Sequence, residues 1–142
     1  MRDAIDQVEA AMIAVRRRQT RRTLAREAGA ADDTVQQVLD TIEEAEQAGR
    51  SLGVTALAAA LGVDQPRASK LAAGAVAAGF VRREAEQHDG RRSRLMLTEM
   101  GRERLAAVHR HRRSRFAAAM DGWTPAERAE FARLLTRFVA GL

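Results

Sequence analysis

The spacing of apolar residues changes once along this chain, and that change limits the fold more than any other feature. Up to about residue 79 apolar positions recur largely every three or four residues, over "FVRREAE" (80–86) and "RSRLMLT" (92–98) they alternate, and from 99 onward helical spacing returns. A period near 3.6 and a period of 2 need different backbone conformations, so a mainly α-helical chain carries one short β-hairpin. The segment between the two strands, "QHDGR", contains Asp-Gly, a strong hairpin-turn signal.

Charge is concentrated at the same place. The stretch "HDGRRSR" (88–94) holds three arginines on what reads as a tight turn. Over residues 81–115 there are eleven arginines against five carboxylates, whereas the rest of the chain has thirteen basic residues against fourteen acids. The net charge of +5 is therefore a local excess. It suits an anionic partner engaging one part of the surface, nucleic acid before acidic membrane.

Before the hairpin the pattern predicts four helices. Ile5, Val8, Met12 and Val15 mark an amphipathic helix from about residue 2, which runs into "RRRQTRR" (16–22). That run reads first as a solvated helix face, with direct phosphate contact as the alternative. Asp32 or Asp33 is expected to cap a second helix carrying Val35, Val38, Leu39 and Ile42. From Asp32 to Gly49 there are six carboxylates and no cation, so this helix should face away from a phosphate backbone.

Gly49 ends it, and two short helices broken at Gly62 follow. Leu57, Ala58 and Leu61 should face inward in the first, with Thr55 a candidate cap. In the second, Asp64 is the expected N-cap, Pro66 lies in the first turn and Gly79 marks the end. Two helices joined by a Gly-containing turn outline a helix-turn-helix. If Ala68, Leu71, Ala75 and Val76 face the core, Arg67 and Lys70 turn outward. Arg67 could then read a guanine edge, or contact phosphate and add affinity without specificity.

After the hairpin, a long helix is expected over about 99–120, with Leu105, Val108, Phe116 and Met120 apolar. Thr124-Pro125-Ala126-Glu127 opens a last helix as a capping box, with Phe131, Leu134, Leu135 and Phe138 on its apolar face. Trp123, just before it, reads as a packing anchor.

A hairpin directly after a helix-turn-helix is a wing: its basic tip reaches the minor groove while the second helix enters the major groove. Here the sequence resembles the MarR (multiple-antibiotic-resistance regulator) family of bacterial winged-helix transcription factors. The likeness rests on "LAAALGVDQPRASKL" leading to "AAGFVRRE", and on "DGRRSRLMLTEMGRE", which has an Asp-x-Arg-x-x-Arg wing followed by Leu-Thr-x-x-Gly. It covers residues 51–105 well. It implies a winged helix-turn-helix over about 33–98, flanked by dimerisation helices over about 2–26 and 99–141 in one domain of 142 residues.

The resemblance also assigns roles. Asp64 to Ala78 becomes the recognition helix, with Gln65, Pro66, Arg67, Ser69 and Lys70 toward DNA. Arg91 becomes the groove-inserting wing arginine, Asp89 and Arg94 brace the hairpin, and Arg92 lies near phosphate. The late helix departs from the family pattern: "AAGAVAAG" is small where members carry larger side chains. Either it lies close to DNA or it packs on another part of the protein.

A homodimer is implied, its interface drawing on Ile5, Val8, Met12, Val15, Leu134, Leu135 and Phe138, and the partner is double-stranded DNA. A small aromatic or anionic effector near Met12 and Arg16 is implied by location only, and Arg16 reads first as a plain surface arginine. The function expected is a dimeric repressor on a pseudo-palindromic operator, released by a small ligand. The alternative is a basic architectural or nucleic-acid-binding protein without a regulatory ligand.

Other classes are weakly supported. The chain has no cysteine, which excludes disulfides and thiol chemistry. His109 and His111, two apart on a helix, point to different faces, and His88 lies on the hairpin, so no metal or other cofactor is expected. No Gly-x-Ser-x-Gly, His-Glu-x-x-His or phosphate-binding glycine loop is present, so an enzyme is not expected. Aromatics are 4% of the chain with no tyrosine, which argues against single-strand stacking. Asp3, Asp6 and Glu9 fit neither a signal peptide nor a span, and no run reaches the roughly 18 apolar residues of a membrane helix. A soluble cytoplasmic protein is expected, with no membrane partner.

Overall fold

Backbone punctuation sets the frame. Gly62 adopts φ 67° and Gly79 φ 85°, in the left-handed region where a side chain is strained, and each turns the chain sharply at a helix end. The computed structural model describes residues 1, 3–25, 30–86 and 93–142, and of 22–25 and 30–33 only the backbone. The element order is α1 (Ala4–Ala25), α2 (Ala30–Gln47), α3 (Val54–Leu61), α4 (Gln65–Ala77), β1 (Val81–Ala85), β2 (Ser93–Leu97), α5 (Glu99–Ala119) and α6 (Pro125–Ala140). The fold is the mainly α winged helix anticipated from the change of period.

Two compact units divide the chain, Met1–Arg102 and Glu103–Leu142, with α5 running from one into the other. In the first, the core is drawn from α2 (Val38, Leu39, Ile42, Ala45), α3 (Leu57, Ala58), α4 (Ala68, Ala72, Ala75) and the hairpin (Val81, Leu95, Leu97). Leu39 and Leu57 are wholly buried, each contributing about 1.5–3 kcal/mol relative to exposure. The strands pair antiparallel with Val81 opposite Leu97 and Glu84 opposite Arg94. Leu52 adds its carbonyl to the edge of β2, accepting from Leu95 N–H at 2.7 Å.

Three local expectations are corrected. α2 begins at Ala30, so Asp32 and Asp33 lie inside its first turn rather than at the cap. Gly53, not Thr55, is the N-cap of α3; it offers no side-chain acceptor, and Thr55 Oγ1 instead accepts from Gln65 Nε2 at 3.3 Å. The buried stripe of α4 is Ala68, Ala72 and Ala75, with Leu71 and Val76 only half-buried at its margins. An all-alanine stripe lets α4 approach its neighbours closely.

In the second unit the capping box is complete: Glu127 N–H donates to Thr124 Oγ1 at 3.1 Å and Thr124 N–H to Glu127 Oε1 at 2.9 Å. Trp123 and Phe131 meet edge to face, ring centroids 5.4 Å apart, a geometry favoured by aromatic quadrupoles. Arg128 Nη2 donates to the Met120 carbonyl at 3.0 Å, which ties α6 to the end of α5. α6 has no buried residue.

Candidate nucleic-acid interface

The outward face of α4 follows from its inward one. Burial of Ala68, Ala72 and Ala75 leaves Gln65, Pro66, Arg67, Ser69 and Lys70 exposed together on the N-terminal half of the helix. Asp64 fixes where the helix starts, its Oδ1 accepting from Arg67 N–H at 2.8 Å, and Pro66 occupies the first turn, where a missing N–H costs nothing. α4 packs on α2, α3 and β1, so the exposed end is held by a rigid scaffold.

Further along, Ala73, Gly74 and Ala77 are also exposed, and a Cβ built at Gly74 meets nothing within 4 Å. The small-residue stretch is thus divided: Ala72 and Ala75 pack into the core of the first unit, while Ala73, Gly74 and Ala77 face solvent. α4 therefore presents a polar, cationic N-terminal half and a low-profile C-terminal half to solvent.

The hairpin base is organised by one carboxylate. Glu84 on β1 accepts from Arg94 Nη2 at 3.1 Å across the strands and from Arg82 Nη2 at 3.3 Å along its own strand. Arg94 first, then Arg82, holds the Glu84 carboxyl below its ordinary 4.5. Arg83 remains exposed on the same strand. The assignments to Asp89, Arg91, Arg92 and His88 lie outside the described residues.

Glu84 was not singled out from sequence: counting outward from Asp89-Gly90 as a two-residue turn sets it opposite Leu95, whereas the observed register, one residue different, sets it opposite Arg94. Ser51 Oγ likewise donates to Glu86 Oε1 at 2.8 Å, linking the chain before α3 to the end of β1.

The remaining candidates lie on open helix surfaces. Ile5, Val8, Met12 and Val15 are exposed on α1, joined by Ile13. Leu134 and Leu135 are exposed and Phe138 half-buried on α6. Arg16 is exposed, one turn beyond Met12. Among the described residues no group of three His, Cys, Asp or Glu could hold a metal ion, and no helix is long and apolar enough to cross a membrane.

A two-helix unit followed at once by a two-stranded hairpin, with helices on either side, defines a winged helix-turn-helix protein. The MarR family model matches residues 32–92, a segment that holds α2's described side chains, the helix-turn-helix and β1. A MarR-family transcriptional regulator from Silicibacter pomeroyi is 27% identical over 93% of this chain and 89% of its own, with a TM-score of 0.64. RV1404 from Mycobacterium tuberculosis shares the fold at 22% identity and a TM-score of 0.73, covering 99% of this chain and 95% of its own. MepR from S. aureus, solved as a complex with DNA, shares it at 16% identity and a TM-score of 0.62, over 93% and 98%. No curated protein matches the sequence.

Proposed function

We propose that this protein is a DNA-binding transcriptional regulator that works as a homodimer, represses from a pseudo-palindromic operator and is released by a small ligand. The observation that carries the reading is the exposed N-terminal face of α4, where Gln65, Arg67, Ser69 and Lys70 stand together next to an arginine-rich hairpin. Side chains of these types read base edges in the major groove, and cations flanking them neutralise phosphates. Arg67 is the residue assigned to base readout, and Arg91 the one assigned to the minor groove. That MepR, which is similar in fold, was solved as a complex with DNA supports DNA as the partner.

Dimerisation is supported by the apolar side chains left in water on α1 and α6. Ile5, Val8, Met12, Val15, Leu134 and Leu135 are each more than two-fifths exposed, an arrangement expected of an interaction surface rather than a finished monomer. In this reading residues 33–98 engage DNA while about 2–26 and 99–141 join the two copies, and Met12 and Arg16 stand near the effector. The protein acts in the cytoplasm, without a catalytic step or a cofactor.

Methylation interference on the bound operator tests the arrangement. Two α4 helices in adjacent major grooves give two clusters of interfering guanines about 10–10.5 bp apart. A single cluster, or interference spread evenly along the duplex, contradicts a dimer reading two half-sites.

A further inference from the structure

A side-chain hydrogen bond joins the two helices of the helix-turn-helix at their starts. Gln65 Nε2, on the first residue of α4, donates to Thr55 Oγ1, in the first turn of α3, at 3.3 Å. Both side chains are exposed, and both line the open groove between the two helix starts and the base of the hairpin. Ten residues separate them, and the left-handed turn at Gly62 brings them together.

Thr55 has its hydroxyl oxygen to offer because α3 does not use it. Gly53 is the N-cap, and α3 has no side-chain cap bond. Gln65 leaves the backbone at an equally defined point. The Asp64 cap, accepting from Arg67 N–H at 2.8 Å, and Pro66 in the first turn fix where α4 begins.

A glutamine amide carries two N–H donors on one nitrogen and a carbonyl acceptor beside it. Thr55 takes one N–H, and Oε1 has no partner among the described residues. What remains is one donor next to one acceptor, in a plane that the bond to Thr55 holds. Adenine presents the matching pair in the major groove, an N6 donor beside the N7 acceptor, and no other base does. An unheld glutamine would have to give up its rotamer freedom on binding, and could turn its nitrogen toward the two acceptors of guanine instead.

We propose that Thr55 is a positioning residue for base readout: by holding Gln65 Nε2 it sets the amide for adenine in each half-site. This deepens the proposed function and rests on it, since α4 must enter the major groove. Thr55 itself touches no base; its effect passes through Gln65.

The test starts from a duplex that the full-length protein selects from a random-sequence pool. Affinity is then measured for that duplex and for every single-base-pair replacement in one half-site. Wild type is expected to lose about 5- to 150-fold when one particular A·T pair is replaced, and Gln65→Ala to remove the loss at that pair alone. Thr55→Val, similar in volume but without the hydroxyl, is expected to erase most of the same loss while the penalties at other pairs stay as they were. Thr55→Ser restores the acceptor and recovers the discrimination. In a Gln65→Ala background, Thr55→Val changes nothing further at that pair.

Full discrimination in Thr55→Val, or equal weakening on every duplex, overturns the proposal; the second result would make Thr55 a phosphate or scaffold contact. A Gln65-dependent position that is not A·T overturns it as well. Each of these outcomes leaves the regulator reading standing. A wild-type protein that selects no common sequence removes that reading and this inference together.

Discussion

Gly101→Ala and Gly74→Ala are the same chemical change in two helices, and the fold gives them opposite signs. Gly101 lies in the first turn of α5, where Thr98 Oγ1 accepts its N–H at 3.1 Å and donates to the Gly79 carbonyl at 2.6 Å. A Cβ at Gly101 would stand 3.1 Å from the carbonyl carbon of Phe80, 3.4 Å from its Cα and closer still to its oxygen. That oxygen already accepts Thr98 N–H at 3.0 Å. Because the obstruction is backbone, no rotamer change relieves it, and the start of α5 must shift.

Overpacking of this kind costs about 1–3 kcal/mol. The strained Thr98 to Phe80 hydrogen bond adds about 0.5–1.5 kcal/mol. Removing a helical glycine returns about 1 kcal/mol, so the net effect is a loss of about 2 kcal/mol. At Gly74 only the last term operates, since a Cβ there meets nothing within 4 Å, and the variant gains up to about 1 kcal/mol. Urea unfolding at one fixed protein concentration measures both, which removes the mass-action effect of dimerisation. A Gly101→Ala variant as stable as wild type, or a Gly74→Ala variant that loses stability, refutes the packing described for these two helices.

Further outcomes follow from the site and the caps. Arg67→Ala should flatten the preference among operator sequences, and a uniform loss on every duplex would make Arg67 a phosphate contact. Arg91→Ala should weaken operator binding while leaving the dimer intact, and unchanged affinity at equal salt would remove the wing from the mechanism. Thr124→Ala deletes the acceptor for Glu127 N–H and should cost about 1 kcal/mol in urea unfolding; no change would mean the box contributes nothing to the folded state. Glu84 has a folded-state pKa below its ordinary 4.5, so its contribution is present above that value and is lost as the pH falls through the depressed folded value. Wild type should therefore lose more stability than Glu84→Gln as the pH drops below about 4.5, and parallel pH profiles would contradict the ion pairs.

Much of the fold is legible in the sequence wherever a residue acts on its immediate neighbours. Asp64 three residues before Arg67, and Thr124-Pro125 before Glu127, announce their helices because a cap satisfies backbone N–H groups within one turn. The hairpin is legible because alternation and an Asp-Gly turn are both local. The misplaced features depend on what lies across the fold. Thr55 has the chemistry of a cap, yet Gly53 takes that position and Thr55 turns to Gln65. Leu71 is more apolar than Ala72, yet the close approach of α4 to its neighbours buries the smaller residue.

The functional surface divides the same way. The exposed face of α4 could be drawn from spacing alone, because its buried stripe fixes it. The Glu46–Arg102 pair joins residues far apart in sequence, and no periodicity predicts it. Glu84 lies between these extremes: alternation places it on the hairpin, but a two-residue Asp-Gly turn would set it opposite Leu95, one residue from its observed partner Arg94.

The central claim is that α4 and the wing read a particular sequence of duplex DNA. Its most direct test titrates the purified protein with the duplex lying upstream of its own gene, beside a random duplex, at one physiological salt concentration. The account predicts a preference of about a thousandfold or more for the upstream duplex. A ratio near one would contradict sequence reading and leave a winged-helix protein that binds DNA by charge alone.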